Sequence, residues 1–88
     1  LKADGYDEAI MGVVQRACQE PVILYDTDKV LEILISRDEM TEDEAIEFFE
    51  FNIVGAWVGE QTPAFFSKTS LEDFEDGLIR YKGSRYRL

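Results

Sequence analysis

The stretch that decides the fold is residues 41–59, TEDEAIEFFEFNIVGAWVG, which begins as an acidic helix and ends as an apolar run with the only tryptophan. Thr41 and Glu44 have the spacing of a capping box, in which each side chain bonds the backbone N–H of the other residue. Acidic residues fill the first turn, where the helix dipole favours negative charge. The sequence therefore predicts a helix that begins at Thr41.

At about 100° per residue, the apolar side chains of this helix share one arc, made of Ala45, Phe48, Phe49, Ile53 and Ala56. Asn52 falls inside the arc, where it is either a buried amide or helix end, or a polar group that faces a ligand. Phe51 falls on the acidic side, where it is either covered by a neighbouring segment or an anchor for a partner. Residues 53–58 continue the helix or form a strand, since so short a run does not separate the two.

Charge is distributed unevenly along the chain. Residues 38–60 contain eight acids and no base, whereas residues 77–88 contain four bases and no acid, within a net charge of −10. An acidic field repels nucleic acid and favours a basic protein surface, although it is also typical of a solvated face that maintains solubility. The candidate protein-binding residues are Asp43, Glu44, Glu47, Glu50 and Phe51.

The composition indicates one compact domain over residues 1–88. The single cysteine, Cys18, excludes an internal disulfide and is predicted to be a buried, inert thiol on the apolar side of a helix. The chain has no histidine, which removes the commonest general base and metal ligand, so we expect no catalytic residue, cofactor or metal. No apolar run reaches the roughly 20 residues of a membrane span, and no signal peptide is recognised, so a cytoplasmic location is expected.

The first half of the chain is predicted to alternate helix and strand. Residues 6–19 have one apolar face and predict an amphipathic helix. Residues 22–25, VILY, predict a short strand because the run is apolar and rich in β-branched side chains. A helix capped by Asp26 or Thr27 then extends to about Arg37 and forms a short-loop αα-hairpin with the helix that starts at Thr41.

The second half is predicted to add one extended segment and one helix. Residues 60–68 cross the core and are candidates to pair with VILY. Residues 70–83, SLEDFEDGLIRYKG, predict a last helix with an apolar stripe formed by Leu71, Phe74, Leu78 and Tyr81. Residues 84–88 predict either a strand or a loose basic tail. The fold class is therefore α+β and predominantly helical, with about four short helices and a small sheet of two or three short strands.

One pattern has the form of a catalytic motif. VILYDTDKV, residues 22–30, resembles the first motif of haloacid-dehalogenase-type phosphatases, which implies that Asp26 is a nucleophile and Asp28 a general acid. The Rossmann-like sheet of that fold needs more residues than this whole chain contains, and no later Asp-Asp pair completes the magnesium site. An N-cap at Asp26 or Thr27, with Asp28 on the helix dipole, explains the same residues.

The middle of the chain, residues 25–66, also has a wider similarity. The segments YDTDKVLEIL, RDEMTEDEAIEFFEF and NIVGAWVGEQTP resemble a family of small, uncharacterised acidic proteins from tailed phages and bacteria. The resemblance covers about half of the chain and brings no functional residues with it. It implies a phage origin, and small acidic phage proteins are often inhibitors of host machinery.

Three functions remain open at this point. The first is a non-enzymatic module that binds a basic protein surface with its acidic face, and the resemblance implies a phage-encoded inhibitor of a basic host protein. The second is a small homo-oligomeric structural protein, because an acidic body and a basic tail permit dimers. The third is a small-ligand or phosphate-handling enzyme at Asp26 and Asp28, with Asn52 in the same cleft.

Overall fold

Within the described residues, the helices and one further strand lie between a first and a last pair of consecutive strands. A 3-10 turn at Asp7–Ala9 leads into the strands and helices, which are β1 (Ile10–Val14), β2 (Val22–Asp26), α1 (Thr27–Arg37), α2 (Glu42–Phe48), β3 (Ala64–Phe66), α3 (Leu71–Glu75), β4 (Leu78–Tyr81) and β5 (Ser84–Arg87). Helix α2 continues directly into a π-helical segment, Phe49–Val54. The prediction of an α+β fold is confirmed. The predicted helical predominance is wrong, because two small sheets and only three α-helices occupy the described residues.

This computed structural model describes residues 5–55, 63–81 and 84–87. The choice between helix and strand is settled as helix for Ile53 and Val54. The same choice for residues 56–58 lies outside the described residues. So do the place of Ala56 in the apolar arc, the first part of the predicted extended segment (residues 60–62) and the end of the predicted last helix (residues 82–83). No helix within the described ranges is long and apolar enough to cross a membrane.

The larger sheet has the order β1-β2-β3, with β2 antiparallel to β1 and parallel to β3. Parallel neighbours need a long crossover connection, which contains α1, α2 and the π-helical segment. The smaller sheet is the antiparallel pair β4-β5. The backbone N–H of Arg80 donates to the carbonyl of Lys68 at 2.7 Å, which joins β4 to the chain just beyond β3. The pairing of β2 with β3 confirms the prediction that VILY pairs with the later extended segment.

The helix starts agree with their sequence signals. Asp26 caps α1, since its Oδ1 accepts from the N–H of Asp28 at 3.1 Å. The capping box of α2 is complete: Thr41 Oγ1 accepts from the N–H of Glu44 at 3.2 Å, and Glu44 Oε1 accepts from the N–H of Thr41 at 2.9 Å. The bond from the Thr41 backbone holds the pKa of Glu44 below its ordinary value. The predicted αα-hairpin is also confirmed, because α1 packs against α2.

The helix predicted over residues 6–19 is wrong. Only the short 3-10 turn is helical there, and the chain then forms β1, in which Val13 and Val14 pair with β2. Glycine at position 12 weakens a helix by about 1 kcal/mol, and the β-branched residues of this stretch favour a strand once a partner strand is available. Cys18 lies in the β1–β2 connection and is exposed, so its predicted burial is also wrong.

The last predicted helix is wrong beyond its first turns. Helix α3 begins as predicted, with Ser70 Oγ accepting from the N–H of Asp73 at 3.1 Å. It stops before Gly77, which has a φ of +75°, and the chain continues as β4. The predicted apolar stripe does not form, because Leu71 is 72% exposed while Tyr81 is buried in a strand. Of the two alternatives for residues 84–88, the strand is confirmed over Ser84–Arg87.

A row of aromatic rings crosses the core and connects both sheets to the π-helical segment. Phe65 stacks on Tyr25 with ring centroids 5.7 Å apart. Phe49 meets Phe65 edge-on at 5.3 Å and Tyr81 at 6.1 Å. Tyr81 lies 5.5 Å from Tyr86 on β5. Edge-to-face and offset-stacked contacts of this kind add to the stabilisation that burial provides.

A candidate protein-binding groove on the central helix

A groove of about 440 Å³ runs along the outer side of α2 and the π-helical segment. We call it the acidic groove, and it is lined by Met40, Glu44, Glu47, Phe48, Phe51 and Asn52. These residues recur at intervals of three or four, which places them on one side of a helix. The groove therefore combines apolar side chains with two carboxylates on one continuous surface.

Phe51 lies on the outer side of the π-helical segment and faces solvent. The N–H of Gly55 donates to the carbonyl of Glu50 at 3.2 Å, five residues earlier. Phe49 and Ile53 keep the inward positions, while Phe51 is 74% exposed. The prediction that a neighbouring segment covers Phe51 is thus wrong for the described part of the chain. π-Helical turns are rare and occur frequently at functional sites.

The predicted site residues divide between two sides of the helix. Glu44, Glu47 and Phe51 line the acidic groove together, whereas Asp43 is exposed on α2 beside it. Glu50 turns the other way, and its Oε1 accepts a hydrogen bond from the hydroxyl of Tyr81 at 2.6 Å. Burial raises the pKa of Tyr81 above its ordinary value, and the bond to Glu50 raises it further. The acidic surface predicted as one face is therefore two separate features.

Asn52 and Met40 are the two groove residues that were not among the candidate protein-binding residues. Asn52 is exposed and lines the groove, and the helical segment continues past it to Val54, so the alternatives of a buried amide and of a helix end are wrong. Met40 lies in the turn before α2, where its N–H donates to the carbonyl of Leu34 at 3.3 Å. The signal for Met40 was its position four residues before Glu44, one turn away on the same side. Phe48, predicted in the apolar arc, is half-buried and contributes to both the core and the groove.

The motif that resembles a phosphatase occupies a different part of the fold. Asp26 closes the N-terminus of α1 through its bond to the Asp28 backbone, which is the structural role predicted for it as the alternative to catalysis. Neither Asp26 nor Asp28 lines the acidic groove with Asn52. The geometry thus does not bring the three residues of the proposed enzyme site into that cleft.

Comparisons of the chain with protein-family models, with curated proteins and with solved structures found no match. The geometry and charge of the site are therefore the structural features that bear on its function.

Proposed function

We propose that the protein is a non-enzymatic interaction module that binds a basic amphipathic segment of another protein in the acidic groove. The observation that carries the proposal is Phe51, a large aromatic side chain held 74% exposed beside the carboxylates of Glu44 and Glu47. Exposed aromatic residues within a concave surface are characteristic anchors of protein interfaces.

The chemistry of the groove defines the kind of partner that suits it. Phe48, Phe51 and Met40 offer an apolar centre, and methionine adapts its shape readily to a bound side chain. Glu44 and Glu47 favour Lys or Arg on either side of an apolar anchor. A helix that carries leucine or phenylalanine on one face and bases at its margins meets both requirements.

Charge also argues against pairing of two copies through this groove. A two-fold contact brings the same surface of each copy together, so Glu44 and Glu47 would face the same carboxylates on the partner. Like charges across an interface disfavour association. The occupant is therefore a different, basic protein. If the resemblance to phage proteins reflects its origin, that partner is a host protein and this module is its inhibitor.

The test uses a synthetic helical peptide with a leucine and phenylalanine stripe flanked by lysines, titrated against the protein by calorimetry. We expect Glu47→Lys with Glu44→Gln to weaken binding by at least about tenfold, and higher salt to weaken it for the unaltered chain. Glutamine at position 44 retains the capping box. The matched control is Glu72→Lys with Glu75→Gln, which makes the same charge change on exposed acids of α3.

Two results would contradict this proposal. Equal weakening by the groove variant and the control variant would show that only the overall acidic field attracts the peptide. Binding that does not respond to salt or to the groove variant would remove the electrostatic basis of recognition.

A second candidate function, self-association as a structural protein, is favoured by β1. This strand has β2 as its only strand neighbour within the described residues, and its side chains Met11 and Val13 are exposed. An exposed apolar edge strand is a template for pairing with another copy. If this function operates, sedimentation should show dimers at tens of micromolar protein and monomers for Val13→Lys. Monomers at millimolar concentration would eliminate it.

A further inference from the structure

A second cleft, of about 450 Å³, lies between the π-helical segment, β3 and β4. We call it the aromatic cleft, because four of its lining residues are Phe49, Phe65, Phe74 and Tyr81. Among the described residues, none lines both this cleft and the acidic groove. Its volume is within the range of sites that hold small molecules.

The cleft contains a carboxylate that the fold holds in place. Tyr81 is only 4% exposed, and its hydroxyl donates to Glu50 Oε1 at 2.6 Å. A buried donor loses little conformational freedom when it holds its acceptor, because the ring is already packed against Phe49. Glu50 itself is exposed, so its carboxylate is accessible to a ligand.

One wall of the cleft is an aromatic side chain that the core does not use. Phe74 on α3 is 60% exposed, although residues of this size usually bury most of their surface. Its backbone position is set by the Ser70 cap and by Asp73, whose carboxylate accepts from Arg80 Nη2 at 3.0 Å. The hydrogen bonds of its neighbours Ser70 and Asp73, rather than burial of its own ring, therefore hold Phe74 at the cleft.

The electrostatics of this lining favour a cation. The faces of aromatic rings carry partial negative charge and attract ammonium groups, most strongly where water is excluded. Glu50 adds a full negative charge at the same end as Tyr81. Arg87, the cation among the described lining residues, is paired with Leu78 in the β4-β5 ladder, and its Nη1 donates to the carbonyl of Asp76 at 3.4 Å. The backbone of Arg87 therefore lies opposite Leu78, which is three residues, or about 10 Å of strand, from Tyr81.

We propose that the aromatic cleft binds an alkylammonium group, with its nitrogen beside Glu50 and its hydrocarbon part against Phe65 and Phe74, the two of these four rings that are not buried. The ligand is either a free amine or quaternary ammonium compound, or the methylated lysine of a peptide, since both present the same chemistry. This site is independent of the acidic groove, and either proposal can fail without the other.

The first experiment titrates the ¹⁵N-labelled full chain with choline and benzyltrimethylammonium while amide chemical shifts are recorded. We expect saturable shifts at Glu50, Phe74 and Tyr81, and weaker binding of 3,3-dimethyl-1-butanol, the neutral analogue of choline, by about tenfold. A peptide containing trimethyllysine forms the second arm. Stronger binding of the peptide assigns the ligand to proteins, and stronger binding of the free ammonium compounds assigns it to small molecules.

Variants locate the binding site. Glu50→Gln retains an acceptor for Tyr81 but removes the charge, and we expect it to weaken ammonium binding by about tenfold. Phe74→Ala should weaken binding several-fold without loss of folding, because the side chain is largely exposed. Leu71→Ala, on the same helix and outside the cleft lining, is the matched control and should bind normally. Equal affinity for the neutral analogue, preference for phenylacetate, or absence of shifts in the cleft would overturn the proposal.

Discussion

Phe49→Ala is expected to lower the free energy of unfolding by about 3–5 kcal/mol, the range typical of truncating a buried phenylalanine. Phe49 is 1% exposed and contacts both Phe65 and Tyr81, so its removal leaves a cavity where the π-helical segment meets the two sheets. A domain of 88 residues has a total stability of roughly 4–13 kcal/mol. The loss is therefore a substantial fraction of the total stability, and at the lower end of that range the variant would be close to unfolding at room temperature.

Urea denaturation followed by far-UV circular dichroism measures this effect. Phe51→Ala is the matched control, two residues away in the same π-helical segment, and should change stability by no more than about 0.5 kcal/mol. If Phe51→Ala were as destabilising as Phe49→Ala, the outward position of Phe51 would be wrong, and with it the apolar centre of the acidic groove. In the peptide-binding assay, Phe51→Ala should weaken binding although this variant remains folded.

Leu34→Ala is expected to lower the free energy of unfolding by about 2–5 kcal/mol. Leu34 is fully buried on α1, in the cluster that also contains Leu31, Ala45 and Phe49. The lost stabilisation comes from the transfer of its methyl groups and from the cavity that rigid neighbours leave unfilled. The midpoint of thermal or urea unfolding should fall correspondingly.

Leu71→Ala makes the same chemical change at an exposed position and should alter stability by no more than about 0.5 kcal/mol. This pair of variants tests whether the chain forms the short helix α3 followed by strand β4 rather than one long helix. Had residues 70–83 formed one helix with Leu71 on its inward stripe, Leu71→Ala would cost as much as Leu34→Ala. A large loss of stability in Leu71→Ala would favour the longer helix over the turn at Gly77 and strand β4.

Sequence reasoning identified those elements whose start is encoded by local hydrogen bonds. Thr41 and Glu44 complete each other's bonds within one helical turn, and Asp26 caps α1 through a residue two positions away. The apolar run at β2 was also recognised, since its length and β-branched content suit a buried strand. For the candidate site, the same reasoning found Glu44, Glu47 and Phe51 but assigned Glu50 to the same surface.

The remaining features depend on contacts between residues far apart in the chain. Residues 10–14 carry apolar side chains that suit either a helix face or a strand, and only pairing with β2 decides in favour of β1. Leu78–Tyr81 likewise becomes a strand because it bonds β5 and Lys68.

The orientation of Glu50 shows the same division at the candidate sites. Its acidic character and its place on the helix that begins at Thr41 were determined by the sequence, as were the capped helix starts and the acidic field of residues 38–60. Its role was decided only by the tertiary structure, which brings the hydroxyl of Tyr81, 31 residues later, within 2.6 Å. Local signals specify where a helix begins, because the groups that satisfy its end are neighbours in the chain. The burial or exposure of a side chain, by contrast, depends on which distant segment of the chain packs against it.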